Sequence, residues 1–362
     1  PVDLATGDFD GDGNLDVVAA TDGVGDVTLF LNQGGSWSAS QIDGGLTDAS
    51  GVSVGDVDGD GRIDVVVSSA GDDEVSWWSL TFTGGGASFT QTLIDTNGDG
   101  PRDVALADLD GDGDLDVVGA FEDSDALVWW KNELGDGSSW TESTISTGTS
   151  WTALAVADFD ADGDVDVAAV DIGPSAVILF TNTAGDGSAW SSEVVAGSIT
   201  DVRSLAAGDI DGDGALDLVG ASVGDDELAW FSNGASWAKQ SIATDFAGAR
   251  AVAVADLDAD GDLDIAASAS VDGETAWFEN TAGDGSTWTA RPVASAPGSS
   301  SVGLADLDGD GDVDVLARAT ASSELGWYEN GLPHRGGLFP SEVSLGDDFF
   351  LALDVTGLDV KG

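Results

Sequence analysis

Short apolar runs and acidic, glycine-rich stretches alternate along nearly the whole chain, in an order that returns about every fifty residues. One kind of run leads into an acidic stretch, as at residues 153–157 and 251–255, and a second leaves it, as at 165–170 and 263–267. A third carries two bulky residues side by side: Trp77-Trp78, Trp129-Trp130, Trp230-Phe231, Trp277-Phe278 and Trp327-Tyr328. It usually ends in asparagine, at Asn32, Asn132, Asn182, Asn233, Asn280 and Asn330. Turn signals such as TAGDGSAW then precede a fourth run opening at Trp37, Trp140, Trp190, Trp237 or Trp288. β-Branched and aromatic runs set between glycine, asparagine and aspartate clusters predict strands. No segment sustains the 3.6-residue period of an amphipathic helix.

A self-similar period of this length marks a repeat architecture. Four strands per unit and seven units predict an all-β, seven-bladed β-propeller, a ring that leaves only short, protected edges. Blades are expected to start near residues 1, 49, 101, 151, 202, 249 and 299, with the ring spanning 1–345. The first runs, rich in alanine, valine and glycine, suit a crowded axis. The tryptophans hold fixed places in nearly every unit, which predicts core between blades rather than a series of ligand-stacking rings.

Each acidic stretch is one nine-residue pattern, Asp-x-Asp-(Gly/Ala)-Asp-Gly-x-(apolar)-Asp, with starts 48, 52, 50, 51, 47 and 50 residues apart. The acids at positions 1, 3, 5 and 9 are Asp8, Asp10, Asp12 and Asp16 in the first copy, then Asp56, Asp58, Asp60 and Asp64. Copies three and four place them at Asp108, Asp110, Asp112 and Asp116, and at Asp158, Asp160, Asp162 and Asp166. Copies five and six have Asp209, Asp211, Asp213 and Asp217, then Asp256, Asp258, Asp260 and Asp264. The last has Asp306, Asp308, Asp310 and Asp314.

Ca²⁺ takes six to eight hard oxygen ligands, and a short loop can wrap it if alternate residues point inward around a sharp turn. Position 6 is always glycine, expected because a side chain would obstruct that turn. Position 7 varies through Asn14, Arg62, Asp114, Asp164, Ala215, Asp262 and Asp312. Neither Arg62 nor Ala215 offers a side-chain oxygen, so position 7 is expected to give its backbone carbonyl. The apolar residues at positions 2 and 8 pin both loop ends into a core. The pattern is EF-hand-like over its first six positions, but the closing acid comes at 9 and the flanks are not helical. A single Asp/Gly stretch would read as an ordinary solvated turn; seven with the same fixed positions do not. Without a cation, two carboxylates about 4 Å apart repel by roughly 4 kcal/mol at an effective dielectric of 20. All-oxygen donors and the absence of cysteine favour Ca²⁺ over softer ions.

These loops and strands resemble the FG-GAP/VCBS repeats, the calcium-loop propellers also found in integrin α-subunit heads. The resemblance covers about residues 1–330 and is specific in its loops. It implies seven Ca²⁺ between first and second strands on the lower face, and ligands meeting the opposite, upper face. The regular loops and aromatic third strands look bacterial or archaeal rather than integrin.

Lys and Arg total 10 against 68 Asp and Glu, a net charge of −58. Seven divalent cations would leave about −44, so the metal accounts for only part of the acidity. The remainder fits a secreted protein from a saline or calcium-rich setting and disfavours nucleic acid and anionic membranes as partners. No apolar run is long enough for a transmembrane helix. Cysteine is absent, so compartment is not readable from disulfides; loops of this kind fill where free calcium is high, outside cells. Starting at Pro1 without methionine, the chain reads as part of a longer protein.

Three further features invite chemistry. Asp95, Asn97, Asp99, Pro101 and Asp103 fit the 1, 3, 5, 7, 9 spacing, as an eighth calcium site or a polar turn. Arg102, Arg203 and Arg250 each stand six residues before a loop's first acid. They suggest a partial cationic ring at the upper mouth of the channel, able to capture a carboxylate or sulfate. The alternative, which we favour, is pairing with nearby acids such as Asp72, Glu74, Asp123, Asp225 and Glu227. Gly51-Val-Ser-Val-Gly55 matches the G-x-S-x-G elbow, but that motif needs a strand–turn–helix and a histidine partner. Ser53 falls within a strand, and the one histidine is His334.

The expectation is a non-catalytic extracellular propeller that binds calcium and serves adhesion or protein or glycan binding. The alternative is a structural subunit of a surface layer or filament, with copies of itself as partners; a polysaccharide-active enzyme module ranks below both. Residues 338–345 are expected to give blade 7 its fourth strand. Residues 346–362 read as a capping strand, a strand donated to a neighbouring copy, or a linker. Blade 1 would then close against blade 7 without strand exchange, making that seam the weakest interface, sensitive to loss of residues 336–362.

Overall fold

The computed structural model describes residues 3–21, 27–43, 45–83, 86–234, 236–295, 297–319, 324–330 and 342–346. It contains seven four-stranded antiparallel sheets, each built from consecutive strands, and no helix among the described residues. Blade 1 uses Leu4–Gly7, Asp16–Ala20, Val27–Asn32 and Trp37–Asp43, and blade 2 uses Ala49–Gly55, Asp64–Ser69, Glu74–Thr83 and Gly86–Asp95. The innermost strands of blades 3 to 7 are Pro101–Ala107, Trp151–Ala157, Val202–Gly208, Ala249–Ala255 and Ser299–Ala305. The fold is a seven-bladed β-propeller.

The side-by-side bulky pairs explain why blades stack. Neighbouring residues of a strand point to opposite faces, so each pair plugs two interfaces at once. Trp78 joins the apolar cluster shared by blades 1 and 2, and Trp77 that of blades 2 and 3. Phe231 and Trp230 likewise fill the clusters on the two sides of blade 5. Tyr328 and Trp327 face blade 6 and blade 1 respectively. Seven such clusters occur, one per junction, including the one that joins blade 7 to blade 1 through Leu307, Leu316 and Phe30. Trp77, Trp130 and Trp277 are buried to 5% exposure or less, which is the interblade core expected of them.

Among the described residues, closure uses no exchanged strand. Leu4–Gly7 pairs with Asp16–Ala20 inside blade 1, and Glu342–Gly346 pairs with Glu324–Tyr328 to finish blade 7. The expectation for residues 338–345 is met only from 342 onward, because 338–341 lie outside the described residues, as do His334 and the tail from 347.

The closing seam shares a hydrogen-bonded clamp with five other junctions. The asparagine that ends each third strand is an interblade clamp. Its Nδ2 donates to the position-2 carbonyl of the preceding blade's acidic loop: Asn132 to Val57, Asn182 to Leu109, Asn233 to Phe159, Asn280 to Ile210 and Asn330 to Leu257. At the seam Asn32 makes the same bond to Leu307, at 2.6 Å. The junction without it lies between blades 1 and 2, where Leu80 takes the asparagine position and packs with Phe9 and Leu46. The long hairpin of blade 2 adds Phe82 and Phe89 to that cluster.

Candidate metal loops and channel mouth

Each loop is shaped by its own acids. Position 4 is left-handed, with φ of +75° at Gly11 and +60° and +58° at Ala161 and Ala259. Position 6 goes further, from +84° at Gly61 to +99° at Gly163 and Gly261, where a side chain is strained. A Cβ at these position-6 glycines would meet nothing within 4 Å. Glycine is therefore required by backbone conformation, not by crowding as expected from sequence.

The backbone amides then aim the carboxylates. In all seven loops the position-6 N–H donates to Oδ2 of the position-1 acid at 2.9–3.0 Å, as from Gly13 to Asp8 and Gly311 to Asp306. The position-9 acid is buried. Its Oδ2 accepts the position-2 N–H, as in Phe9 to Asp16 at 2.9 Å, and its Oδ1 accepts the clamp asparagine's N–H, as in Asn32 to Asp16 at 2.7 Å.

This brings positions 1, 3 and 9 together. Asp8, Asp10 and Asp16 have one oxygen each within 4.8 Å of the others, and so do Asp56, Asp58 and Asp64, Asp108, Asp110 and Asp116, Asp158, Asp160 and Asp166, and Asp209, Asp211 and Asp217. Among the described residues there are seven such groups, and the loops at Asp256 and Asp306 repeat the same hydrogen bonds. Position 5 stands outside the group; its Oδ1 accepts the position-7 N–H, as in Asp60 from Arg62 and Asp213 from Ala215. Asn14 and Arg62 turn their own side chains onto Asp12 and Asp60 rather than inward.

The donor set fits a hard divalent cation. Oδ1 of Asp56 and of Asp209 is buried with no hydrogen-bond partner, although the other oxygen of each carboxylate is bonded. A buried, unmatched carboxylate oxygen facing two further acids is expensive without a positive charge.

Burial also raises the position-9 acids, above all by desolvation, to about 6 at Asp16, Asp166, Asp217 and Asp314. Asp64, Asp116 and Asp264 rise to about 7, with desolvation again the first cause. The folded pKa exceeds the ordinary 3.8, so the folded state favours the protonated acid. That stability is fully present below about pH 4 and is lost as pH rises through 6 to 7. The metal-free chain is thus expected to melt at falling temperature between about pH 4 and pH 8, in 1 M NaCl where surface repulsion is screened. A melting temperature that rises over this range would contradict it.

The proposed eighth site does not assemble. Asp95 caps Asn97 and Gly98 through their N–H groups, and the Pro101 carbonyl accepts the Ser50 hydroxyl. Asp103 lies in the first strand of blade 3, where strand alternation turns it inward, and it accepts Val104 N–H and, across the blade interface, Leu154 N–H. Residues 96–100 form a polar turn between two strands.

Arg102, Arg203 and Arg250 do converge. Each occupies a bulge near the start of its inner strand, skipped in the pairing with the second strand. Bulges re-aim side chains, and all three line one cavity of about 440 Å³ with Asp3, Asp103 and Ser300. Six extended residues separate them from the loops, roughly 20 Å at about 3.3 Å per residue. Arg102 pairs with Glu122 and Arg203 with Asp201, not with the acids named from sequence. Asp3 and Asp103 flank Gly51, where an added Cβ would come 3.0 Å from the Asp103 backbone. Burial raises both carboxyls, and Asp3's charge raises Asp103 further. Ser53, in the interior of an inner strand, accepts Leu106 N–H and forms no nucleophile elbow.

Fold and loops together define a propeller of acidic-loop repeats. The chain belongs to the FG-GAP-like repeat family, which it matches at residues 8–67, 56–119, 108–169, 158–220, 209–267 and 266–317. No curated protein matches it significantly. Among solved structures it is similar to an Agrocybe aegerita lectin that recognises non-reducing terminal N-acetylglucosamine, at 18% identity and TM-score 0.61, covering 96% of this chain and 94% of that one. It is also similar to a putative 6-phosphogluconolactonase from Bacteroides uniformis, at 14% identity and TM-score 0.58 over 95% and 96%. A streptogramin B lyase follows at 12% identity and TM-score 0.55, over 87% and 94%. At these identities the likeness is one of fold, and it spans a lectin and two enzymes.

Proposed function

We propose that the chain is a calcium-stabilised, non-catalytic binding propeller that works outside the cell, with loops on one face and a glycan or protein ligand on the other. The observation that carries this reading is the separation of two polar sites. Acid triads ring one end, two of them with an unmatched buried oxygen at Asp56 or Asp209, while three of the chain's seven arginines line the cavity at the other, together with Asp3 and Asp103. Guanidinium forks suit carboxylate and sulfate, so an acidic glycan or an acidic protein segment is the favoured ligand. Ca²⁺ would be held by the acids at positions 1, 3 and 9, and would supply the positive charge those oxygens lack. Calcium outside cells is abundant enough to keep such loops filled. The lectin shares the fold and lends the glycan arm plausibility, but not a ligand.

The test is a glycan array and a protein pull-down, each with calcium and with chelator, using the wild type and the Arg102→Ala/Arg203→Ala/Arg250→Ala variant. The reading expects calcium-dependent capture of acidic ligands, reduced tenfold or more in the variant. Equal capture by both proteins, or no capture by either, would overturn it.

A further inference from the structure

The seven loops are not equivalent. In four blades the residue just before the clamp asparagine acts on the position-3 acid of its own loop. In blade 5 this is Ser232, whose hydroxyl donates to Asp211 Oδ2 at 3.2 Å. In blades 6 and 7 it is Glu279 and Glu329, whose charges add to the burial and neighbouring acids that raise Asp258 and Asp308. In blade 3 it is Lys131. Its ammonium contacts Asp110 Oδ2 and lies 3.1 Å from Asp112 Oδ2, tying positions 3 and 5 of that loop together. The Asp110 side chain is only 6% exposed under this contact.

We propose that Lys131 is a built-in cation that competes with the divalent ion, so that the blade 3 loop binds metal most weakly of the seven and fills last. The inference rests on the reading of the loops as calcium sites. An ammonium on one member of the Asp108, Asp110 and Asp116 triad neutralises part of the field that attracts the ion, and repels the ion directly. Metal entry therefore requires Lys131 to swing away. Asp186, on the hairpin of blade 4, senses the Lys131 charge: its carboxyl is held low first by the Ser188 hydroxyl and last by Lys131. In the absence of calcium, the same contact relieves repulsion within this loop. The loop thus stays shaped at calcium concentrations that leave its neighbours empty.

The experiment is equilibrium dialysis of metal-free protein against radioactive calcium, with site occupancies read from anomalous scattering in crystals equilibrated at limiting and at saturating calcium. The wild type should fill six loops together and the blade 3 loop at a concentration at least tenfold higher. Lys131→Ser, the residue blade 5 uses, should bring that loop into line with the rest. Simultaneous filling of all seven loops in the wild type overturns the proposal while leaving the calcium reading intact. No calcium at any loop overturns both. The wild-type occupancies decide the matter even if the variant folds poorly.

Discussion

Removing calcium with a chelator is expected to lower the melting temperature by about 25 degrees, and millimolar Mg²⁺ should not restore it. Binding to the folded state alone adds RT ln(1 + [L]/Kd) per site, about 2.7 kcal/mol at 100 Kd. Seven such sites, one per blade, give about 19 kcal/mol at that saturation. An unfolding entropy near 2.1 cal/mol/K per residue makes 1 kcal/mol worth about 1.3 degrees in a chain of this length. Mg²⁺ demands compact octahedral geometry and sheds water reluctantly, so a nine-residue loop of spread carboxylates serves it poorly. Calorimetry in calcium, in chelator and in chelator with excess Mg²⁺ checks the expectation. An unchanged melt in chelator would show that the loops hold their shape without the ion.

The second large effect concerns the clamp. Asn182 is fully buried; its Nδ2 donates to the Leu109 carbonyl of blade 3 at 2.8 Å, and its Oδ1 accepts Gly187 N–H at 3.1 Å. Asn182→Ala strips partners from both backbone groups while leaving its own N–H on Asp166. Each unsatisfied buried group costs about 1–3 kcal/mol, so the variant should lose about 2–5 kcal/mol, or roughly 3–7 degrees on the scale above. Asn182→Leu should not rescue it, although Leu80 fills the same position in blade 2, because that junction has the apolar surroundings of Phe9, Phe82 and Phe89 instead. Denaturant unfolding of both variants in calcium measures this. A loss below about 0.5 kcal/mol in either would deny the clamp its role.

What could be read from the sequence was what is local or repeated. The loops were legible because their acids, glycine and apolar anchors fall within nine residues and recur in every blade. The four strands per blade and the packing role of Trp77-Trp78 or Trp230-Phe231 were legible from alternation and turn residues. The clamp was visible only as an asparagine that ends a strand, since its acceptor lies 73 residues away for Asn182 and 275 away for Asn32. The role of Lys131 is not legible from the loop pattern, because its acids precede it by 21 and 19 residues. The spacing of Asp95 to Asp103 misled for the opposite reason: it matched the loop, but a strand begins at Pro101 and carries the last acid into the channel. Convergence of the three arginines depended on a bulge at each, a backbone irregularity that no residue type announces.

The central claim is that the acidic loops are metal sites, and anomalous diffraction from crystals grown in saturating calcium tests it most directly. The account predicts seven calcium peaks per chain, each within about 2.3–2.6 Å of oxygens from positions 1, 3 and 9 of one loop. Three or fewer peaks, or peaks that avoid the loops, would contradict it.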